Sequence, residues 1–394
     1  MRPSRDGVRT PVTGEGDACI PKLHDIQPPA ERALLVGAPR RGTRDAIHVV
    51  EHLDELARLA DTAGATIVGR LVQQLRTPTP SHYLGKGKVA ALGQQAAESG
   101  ATLVLFDEEL SPVQGKNLES ALELRVMDRA ELILDIFATR ARSKEARMEV
   151  ELAQLEYMLP RLARMWVHLS RIRGGIGLRG PGETQIETDR RMIRTKISRL
   201  KRDLADAERH RALLRHGRGR RSIPTAALVG YTNAGKSSLL KAVTRADAFV
   251  EDRLFATLDT LTRETDLGGG RRVRLVDTVG FIRKLPHHLV ASFGATLEEA
   301  SGADLLLHVI DASHPQWEEQ VTVVDRVLDD LAIDPERVVH VFNKMDLMPD
   351  GEAFRDRVAG RFHATACVSA VRRDLGALLA WLHGVTGSGA RSPG

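Results

Sequence analysis

An apolar strand that leads through a glycine-containing loop into a helix is the feature that most constrains this chain. The segment PTAALVG (224–230) precedes the loop GYTNAGKSS (230–238), and KSSLLKAVT (236–244) continues with helical spacing. A strand, a G-x-x-x-x-G-K-S loop and a helix in this order are typical of a phosphate-binding loop, because the loop amides and the helix N-terminus point at one anion. The sequence therefore predicts a P-loop domain built on a doubly wound, mostly parallel sheet.

The residue types of this loop predict its contacts with nucleotide. Lys236 is expected to reach the β- and γ-phosphates, and the Ser237 hydroxyl to bind Mg²⁺. Asn233 would either support a monovalent cation such as K⁺ beside the phosphates or simply shape the turn. We predict nucleotide contacts along the whole loop, from Gly230, Tyr231, Thr232, Asn233, Ala234, Gly235, Lys236 and Ser237.

Two later segments fit the switch loops of a GTPase. RRVRLVDTVG (271–280) ends a strand at Asp277, which predicts a Mg²⁺ ligand, and places Gly280 to sense the γ-phosphate. In FATLD (255–259), Thr257 is the best candidate to close on Mg²⁺, although a threonine in a loop often has no such role. We predict catalytic roles for Lys236, Thr257 and Gly280. The predicted metal ligands are Ser237, Thr257 and Asp277. The predicted nucleotide contacts in these two segments are Phe255, Ala256, Thr257, Leu258, Asp259, Asp277, Thr278, Val279 and Gly280.

The apolar strand VVHVFNKMD (338–346) ends in a base-recognition pattern. A carboxylate at Asp346 can accept hydrogen bonds from N1–H and the exocyclic amine of guanine, whereas the N1 acceptor of adenine would repel it. The side chain of Lys344 would lie along the base, and the backbone after CVSA (367–370) would approach the guanine carbonyl. The predicted base contacts are Asn343, Lys344, Met345, Asp346, Ser369 and Ala370, and the predicted ligands are GTP or GDP with Mg²⁺.

The remainder of the chain divides into segments of different character. Strands and helices alternate through 31–130, which predicts a second parallel α/β domain covered on both faces. Two helical stripes joined by GGIGLRGPGET (174–184) predict a helical hairpin over 131–215 with a non-helical, glycine-rich tip. We expect disordered tails at 1–30 and 388–394, a linker at 216–223 and the P-loop domain at 224–387.

Charge and cysteine usage narrow the function classes. About eighteen Lys and Arg against six Asp and Glu fall between 161 and 221, so the net charge of +5 is concentrated in the hairpin. Cys19 and Cys367 cannot form a disulfide framework or a four-ligand zinc site. The sequence lacks a secretory signal and an apolar run long enough for a membrane span, so we expect a cytoplasmic monomer, with peripheral membrane attachment left open.

Several segments outside the nucleotide motifs resemble the HflX family of translation-factor-class GTPases. They are YLGKGKV (83–89), LILDIFATRARSKEARMEVELAQLEYMLPRL (132–162), GIGLRGPGETQIETDRR (175–191) and DTVGFIRKLPHHLVASFGATLEE (277–299). The resemblance implies a cytosolic GTPase that binds the large ribosomal subunit and splits or rescues stalled or idle ribosomes, often under stress. It also implies that ribosomal RNA contacts the protein.

Three positions, together with the chain end, differ from what such GTPases often carry. Phe281 follows Gly280 where many GTPases have a water-orienting glutamine, so we predict slow intrinsic hydrolysis that a partner accelerates. Thr260 replaces a frequent proline and Val371 a frequent lysine, which affects the first switch and the backing of the base. The chain also ends shortly after the last predicted helix.

The basic hairpin has two interpretations. Such charge runs are usually solvated helix faces, but the excess of arginine and the glycine-rich tip favour contact with RNA phosphates. The candidate RNA contacts are Arg173, Arg179, Arg190, Arg191 and Arg194. A second nucleotide site in the glycine-rich loop is a weaker rival, because the G-K-S/T ending is missing, and binding of ATP by the N-terminal region stays open. The alternative function is a signalling GTPase whose N-terminal region binds a protein or membrane partner.

Overall fold

Two mainly parallel sheets, each covered by helices, form the framework of the protein. The computed structural model describes residues 30–165, 181–216, 223–244, 254–285 and 300–387. A four-stranded sheet precedes two long helices, and a six-stranded sheet follows them. The predicted α/β class is therefore confirmed.

The first sheet is entirely parallel and has the order β2-β1-β3-β4. Its strands are β1 (Arg32–Gly37), β2 (Thr66–Val72), β3 (Leu103–Phe106) and β4 (Arg125–Asp128). Its helices are α1 (Arg44–Ile47), α2 (Val49–Thr62), α3 (Lys86–Ser99), α4 (Pro112–Leu122) and α5 (Arg129–Arg140). Between β1 and β2 the chain thus forms two helices, separated at His48.

Side-chain caps define where two of these helices begin. The Ser111 hydroxyl accepts a hydrogen bond from Gln114 N, and the Gln114 side chain accepts one from Ser111 N, which makes a capping box at α4. Asp128, at the end of β4, accepts from Glu131 N and caps α5. Each cap satisfies backbone donors that the first helical turn leaves unpaired.

Two long helices, α6 (Lys144–Met165) and α7 (Pro181–His216), pack against each other. Ion pairs join Lys201 to Glu156 at 2.8 Å and Lys196 to Glu151. Proline suits the start of α7 because its missing N–H would have no partner in a first turn. The expectation of non-helical structure through 184 was therefore wrong for 181–184, while Arg173, Arg179 and the rest of the predicted tip up to 180 lie outside the described residues.

The second sheet has the order β10-β9-β8-β5-β7-β6, with β6 antiparallel to β7 and the other neighbours parallel. Its strands are β5 (Thr225–Gly230), β6 (Leu261–Asp266), β7 (Arg272–Asp277), β8 (Leu305–Asp311), β9 (Val338–Asn343) and β10 (Thr365–Cys367). Its helices are α8 (Lys236–Thr244), α9 (Trp317–Asp330), α10 (Gly351–Ala359) and α11 (Gly376–Gly387), with 3₁₀ turns at Pro335–Arg337 and Met345–Leu347.

The parallel strands of the second sheet all end at one edge. Gly230, Asp277, Asp311 and Asn343 are the last residues of β5, β7, β8 and β9. Ligands of open α/β sheets bind at this carboxyl edge, which directs attention to the loops that follow these strands. Across the described part of the chain, none of the helices combines the length and apolarity needed to cross a membrane.

Candidate functional site

A cleft of about 250 Å³ lies at the carboxyl edge of the second sheet. It brings together residues from the loops after β5, β7, β9 and β10 and from the predicted first switch. Its lining consists of Thr232, Asn233, Gly235, Lys236, Ser237, Ser238, Phe255, Ala256, Thr257, Thr278, Gly280, Asn343, Lys344, Asp346, Leu347, Ala370 and Val371. Ser238, Leu347 and Val371 are the lining residues that we did not predict as contacts.

Three oxygen-bearing side chains meet at one wall of this cleft. Ser237 Oγ lies 2.6 Å from Asp277 Oδ2 and 2.8 Å from Thr257 Oγ1, and Thr257 Oγ1 lies 3.1 Å from the same carboxylate oxygen. Burial raises the pKa of Asp277, while Lys236 and the two hydroxyl hydrogen bonds oppose that shift. Among the described residues, the other oxygen, Asp277 Oδ1, is buried without a partner. This all-oxygen set fits Mg²⁺, which prefers hard oxygen ligands.

Lys236 occupies the floor of the cleft. Its ammonium donates hydrogen bonds to the carbonyls of Gly230 at 3.2 Å and Tyr231 at 2.9 Å. Burial lowers the pKa of Lys236 to about 8, although Asp277 opposes the shift. A Cβ at Gly280 would lie 2.9 Å from Lys236 Nζ and from Thr232, so only glycine allows the second switch to approach the phosphate loop this closely.

The opposite end of the cleft holds the predicted base contacts. Ser369 Oγ donates a 2.5 Å hydrogen bond to Asp346 Oδ1, which orients the carboxylate. Asn343 Nδ2 donates to Ala234 O at 3.0 Å, so the base end is tied to the phosphate loop. The Ala370 amide donates to Asn343 Oδ1 at 3.1 Å, and a contact from this amide to a guanine carbonyl would have to share that donor.

Asp311 is a functional residue that the sequence reasoning missed. Its carboxylate lies 2.7 Å from Lys344 Nζ and therefore fixes the end of the side chain expected to lie along the base. Asp311 ends β8, the strand between β5 and β9. Its position as a polar residue at the carboxyl end of an apolar strand was the available signal.

Some predicted site residues do not line the cleft directly. Tyr231 and Asp259 contact other parts of the chain, Met345 packs in an apolar cluster, and Asp277 lies beneath Ser237. Gly230, Ala234, Leu258, Val279 and Ser369 also do not line it. Asn233 has a φ of +61°, a conformation that asparagine tolerates, so turn geometry by itself explains this residue type and the K⁺ role stays a prediction.

Phe281 is buried and does not line the cleft. It forms a β-bridge with Tyr231 and belongs to the same apolar cluster as Leu254 and Phe255. The phenylalanine therefore fastens the start of the second switch to the phosphate loop. It offers no polar group to an attacking water.

A buried polar network connects the phosphate loop to the first sheet. The Tyr231 hydroxyl donates to Glu55 on α2 and accepts from the amide of Arg283 at 2.8 Å. Arg129 at the start of α5 donates to the Arg283 carbonyl at 3.2 Å and pairs with Glu55 at 2.5 Å. Because Arg283 lies three residues after Gly280, the second switch and the first sheet share hydrogen bonds directly.

The same network contains a buried carboxylate from the first sheet. Asp107 lies 2.8 Å from Arg129 and 2.7 Å from Lys284 Nζ. Burial alone would raise the pKa of Asp107, but Arg129, Lys284 and Arg283 together lower it well below its usual range. Removing one member of such a set leaves a buried charge without compensation, so this contact holds the second switch against β3.

The first switch is attached to the long helix α6. Asp259 accepts hydrogen bonds from the amides of Arg142 at 2.9 Å and Ser143 at 3.2 Å and from the Ser143 hydroxyl at 2.5 Å. Ser143 Oγ in turn accepts from Ala146 N at the start of α6. Phe255, from the same switch, makes an edge-to-face contact with Phe137 of α5, with ring centroids 4.6 Å apart.

Three family descriptions match successive parts of the chain. Residues 50–138 match "GTP-binding GTPase N-terminal", residues 140–218 match "GTP-binding GTPase Middle Region" and residues 225–344 match "50S ribosome-binding GTPase". The three matches cover β2 to β4 of the first sheet, the two long helices and all strands of the second sheet except β10.

Curated relatives match over most of the chain. The GTPase HflX of Caldanaerobacter subterraneus subsp. tengcongensis is 54% identical over 327 residues, which is 83% of this chain and 75% of the relative. The GTPase HflX of Escherichia coli K12 is 46% identical over 335 residues, covering 85% and 78%. A solved complex of the protein SsGBP with GDP has a TM-score of 0.50 at 23% identity and covers 91% of this chain and 98% of that one, which supports the fold alone.

Proposed function

The chain belongs to the HflX family of GTPases, and from that premise we propose that it acts on the large ribosomal subunit, dissociating or rescuing stalled or idle ribosomes under stress. It binds and hydrolyses GTP. The observation that carries the ribosomal part of the proposal is the match of residues 225–344 to a ribosome-binding GTPase domain, next to a strongly basic helix.

The residues of the cleft are assigned the following roles. Lys236 would neutralise the β- and γ-phosphates, and Ser237, Thr257 and Asp277 would hold Mg²⁺, which would offset the negative charge of the phosphates. Gly280 presents its backbone amide to the γ-phosphate. Because Phe281 is buried, intrinsic hydrolysis is slow, and a partner must help to orient the attacking water.

The switch contacts supply a way to transmit the nucleotide state. Thr257 lies two residues before Asp259, so an ordered Thr257 and the anchor at Ser143 stabilise one another. Arg283 and Lys284 follow Gly280 closely and contact Asp107 and Arg129 of the first sheet. GTP therefore sets the position of both switches relative to α6 and the first sheet, and these elements present the ribosome-binding surface.

Asp259→Ala is expected to weaken binding of a non-hydrolysable GTP analogue by roughly tenfold, because it removes one set of charge-assisted hydrogen bonds. The affinity for GDP should change little, because Thr257 contacts only the metal and the γ-phosphate. Both affinities can be measured with a fluorescent nucleotide in the presence of Mg²⁺. The mutation also removes acceptors at the start of α6.

Two further variants give this prediction its controls. Asp259→Asn keeps one acceptor oxygen and should fall between the wild type and Asp259→Ala. Asp266→Ala removes an exposed carboxylate from the end of β6 and should leave both affinities unchanged. Equal losses for the GTP analogue and GDP would mean that the anchor supports the fold and not the switch.

The exposed face of α7 is the candidate RNA contact within the described residues. Arg191, Arg194 and Arg202 lie along a shallow surface with Thr195 and Ser198. In the described part of the chain these three arginines have no acidic partner, whereas Lys196 and Lys201 are paired with α6. Unpaired guanidinium groups in a row suit RNA phosphates, which accept bidentate hydrogen bonds.

We expect the protein to co-sediment with large ribosomal subunits in the presence of a non-hydrolysable GTP analogue, and much less with GDP. The double variant Arg191→Glu/Arg194→Glu should weaken binding and lower the slope of log affinity against log salt by about one to two, because each phosphate contact contributes roughly 0.7 to 0.9. Arg209→Glu is the matched control, since Arg209 is exposed on α7 but paired with Asp206.

The two candidate functions give different results in this measurement. A slope of log affinity against log salt that falls by about one to two in the double variant, with the control unchanged, supports RNA contact by α7. Failure to bind large subunits even at low salt would favour the signalling GTPase with a protein or membrane partner. Stimulation of GTP turnover by purified large subunits supplies the corresponding kinetic test.

A further inference from the structure

Two histidines and an aspartate come together beneath helix α9, away from the nucleotide cleft. His308 lies in β8 and His340 lies directly opposite it in β9, with ring centroids 5.3 Å apart. Asp325 projects from α9, and one ligand atom from each of the three residues lies within 4.8 Å of the other two. The three side chains belong to three different elements of the P-loop domain.

One imidazole nitrogen of each histidine, Nδ1, has no hydrogen-bond partner among the described residues. His308 is 1% exposed, and its Nδ1 is buried without a hydrogen-bond partner among the described residues. In the same part of the structure, Nδ1 of His340 is also buried and unpartnered. Buried polar atoms are nearly always paired, so two unpaired nitrogens beside one carboxylate call for an explanation.

A hydrogen bond to Asp325 does not provide that explanation. Asp325 Oδ1 lies 3.5 Å from His308 Nδ1, which is the outer limit for a hydrogen bond and makes no directed one here. Two imidazoles and a carboxylate form a donor set typical of zinc sites.

We propose that His308, Asp325 and His340 bind one Zn²⁺ ion. Ligand atoms around tetrahedral zinc lie roughly 3.3 Å apart, given metal–ligand bonds of about 2.0 to 2.2 Å. The separation of 3.5 Å between His308 and Asp325 is already close to that value. Side-chain movements would shorten the remaining distances between ligand atoms. Water would complete the coordination, as at zinc sites with three protein ligands.

The site also has an entry route and a structural consequence. The Asp325 side chain is 45% exposed, so an ion can reach the buried histidines from the α9 surface. His308 lies three residues before Asp311, and His340 three residues before Asn343. The ion would therefore join α9 to the two strands that end at the base pocket.

Equilibrium dialysis of the full chain, saturated with GDP and excess Mg²⁺, tests the proposal with Zn²⁺ as the probe. We expect one equivalent of Zn²⁺ at micromolar or tighter affinity and a rise in the unfolding temperature when it binds. Asp325→Asn and His340→Gln should each weaken binding by at least tenfold, since loss of even an outer contact to a metal ligand costs about 10- to 100-fold.

Asp329→Asn is the matched control because Asp329 is exposed one turn further along α9. It should bind Zn²⁺ as the wild type does. Absence of binding in the wild type, undiminished binding in Asp325→Asn and His340→Gln, or an equal loss in Asp329→Asn would each overturn the proposal. Unfolding temperatures measured in chelator show whether the variants are folded. If His340→Gln is not folded, Asp325→Asn still tests the proposal, because Asp325 is half-exposed.

Discussion

Lys236→Ala is expected to lower the affinity for GTP by roughly a thousandfold or more while leaving the protein folded. Hydrogen bonds to charged groups contribute about 1.5 to 3 kcal/mol each, and the ammonium can donate to oxygens of two phosphates. Two such bonds amount to about three orders of magnitude in the dissociation constant. Titration with a fluorescent GTP analogue measures the loss.

The fold should tolerate this change because burial of the lysine ammonium costs free energy in the folded protein. The ammonium is buried, and it donates hydrogen bonds to two carbonyls of the phosphate loop. The pKa of about 8 shows that burial disfavours the charged form before phosphate arrives. We therefore expect the nucleotide to be the stabilising partner of this charge and the lysine to contribute mainly to binding.

The neighbouring lysine of the same helix supplies the control. Lys241 is exposed in the last turn of α8, so Lys241→Ala should bind GTP like the wild type. The thermal unfolding midpoint of nucleotide-free Lys236→Ala should stay close to that of the wild type. Retention of GTP affinity within about tenfold, a difference of about 1.4 kcal/mol, would refute the assignment of Lys236 to the phosphates.

Local patterns explain why much of the fold could be predicted from the sequence. The apolar run before Gly230 forms β5, and the residues from Lys236 onward form α8, because these preferences act within a few residues. The cap at Ser111 is equally local, because its hydrogen bonds join residues three positions apart. The α/β class and the GTPase family follow from such short-range signals.

Contacts between distant residues were not predictable in the same way. Tyr231 and Glu55 are 176 positions apart, and Arg129 and Arg283 are 154 apart. No local pattern indicates that a tyrosine of the phosphate loop turns away from the nucleotide. Similarly, the sequence predicted a nucleotide contact for Asp259. Its contact with Ser143 depends on the fold, which brings the two distant segments together.

Asp346→Asn is expected to change the preferred base from guanine to xanthine. Xanthine carries a carbonyl where guanine has its exocyclic amine, and an asparagine amide can donate to that carbonyl while its own oxygen still accepts from N1–H. The affinity for GTP should fall by at least about a hundredfold, because a site built around hydrogen bonds strongly rejects a ligand that leaves them unpaired. The affinity for xanthosine triphosphate should rise correspondingly.

The position of Asp346 explains why this exchange should preserve the pocket. Ser369 Oγ donates to Asp346 Oδ1, and an asparagine oxygen can accept the same hydrogen bond. Lys344 stays fixed by Asp311, so the surface beneath the base is unaffected. Competition of guanosine and xanthosine triphosphates for one fluorescent nucleotide measures both affinities, with Asp356→Asn on exposed α10 as the control. An unchanged affinity for GTP in Asp346→Asn would show that another group selects the base.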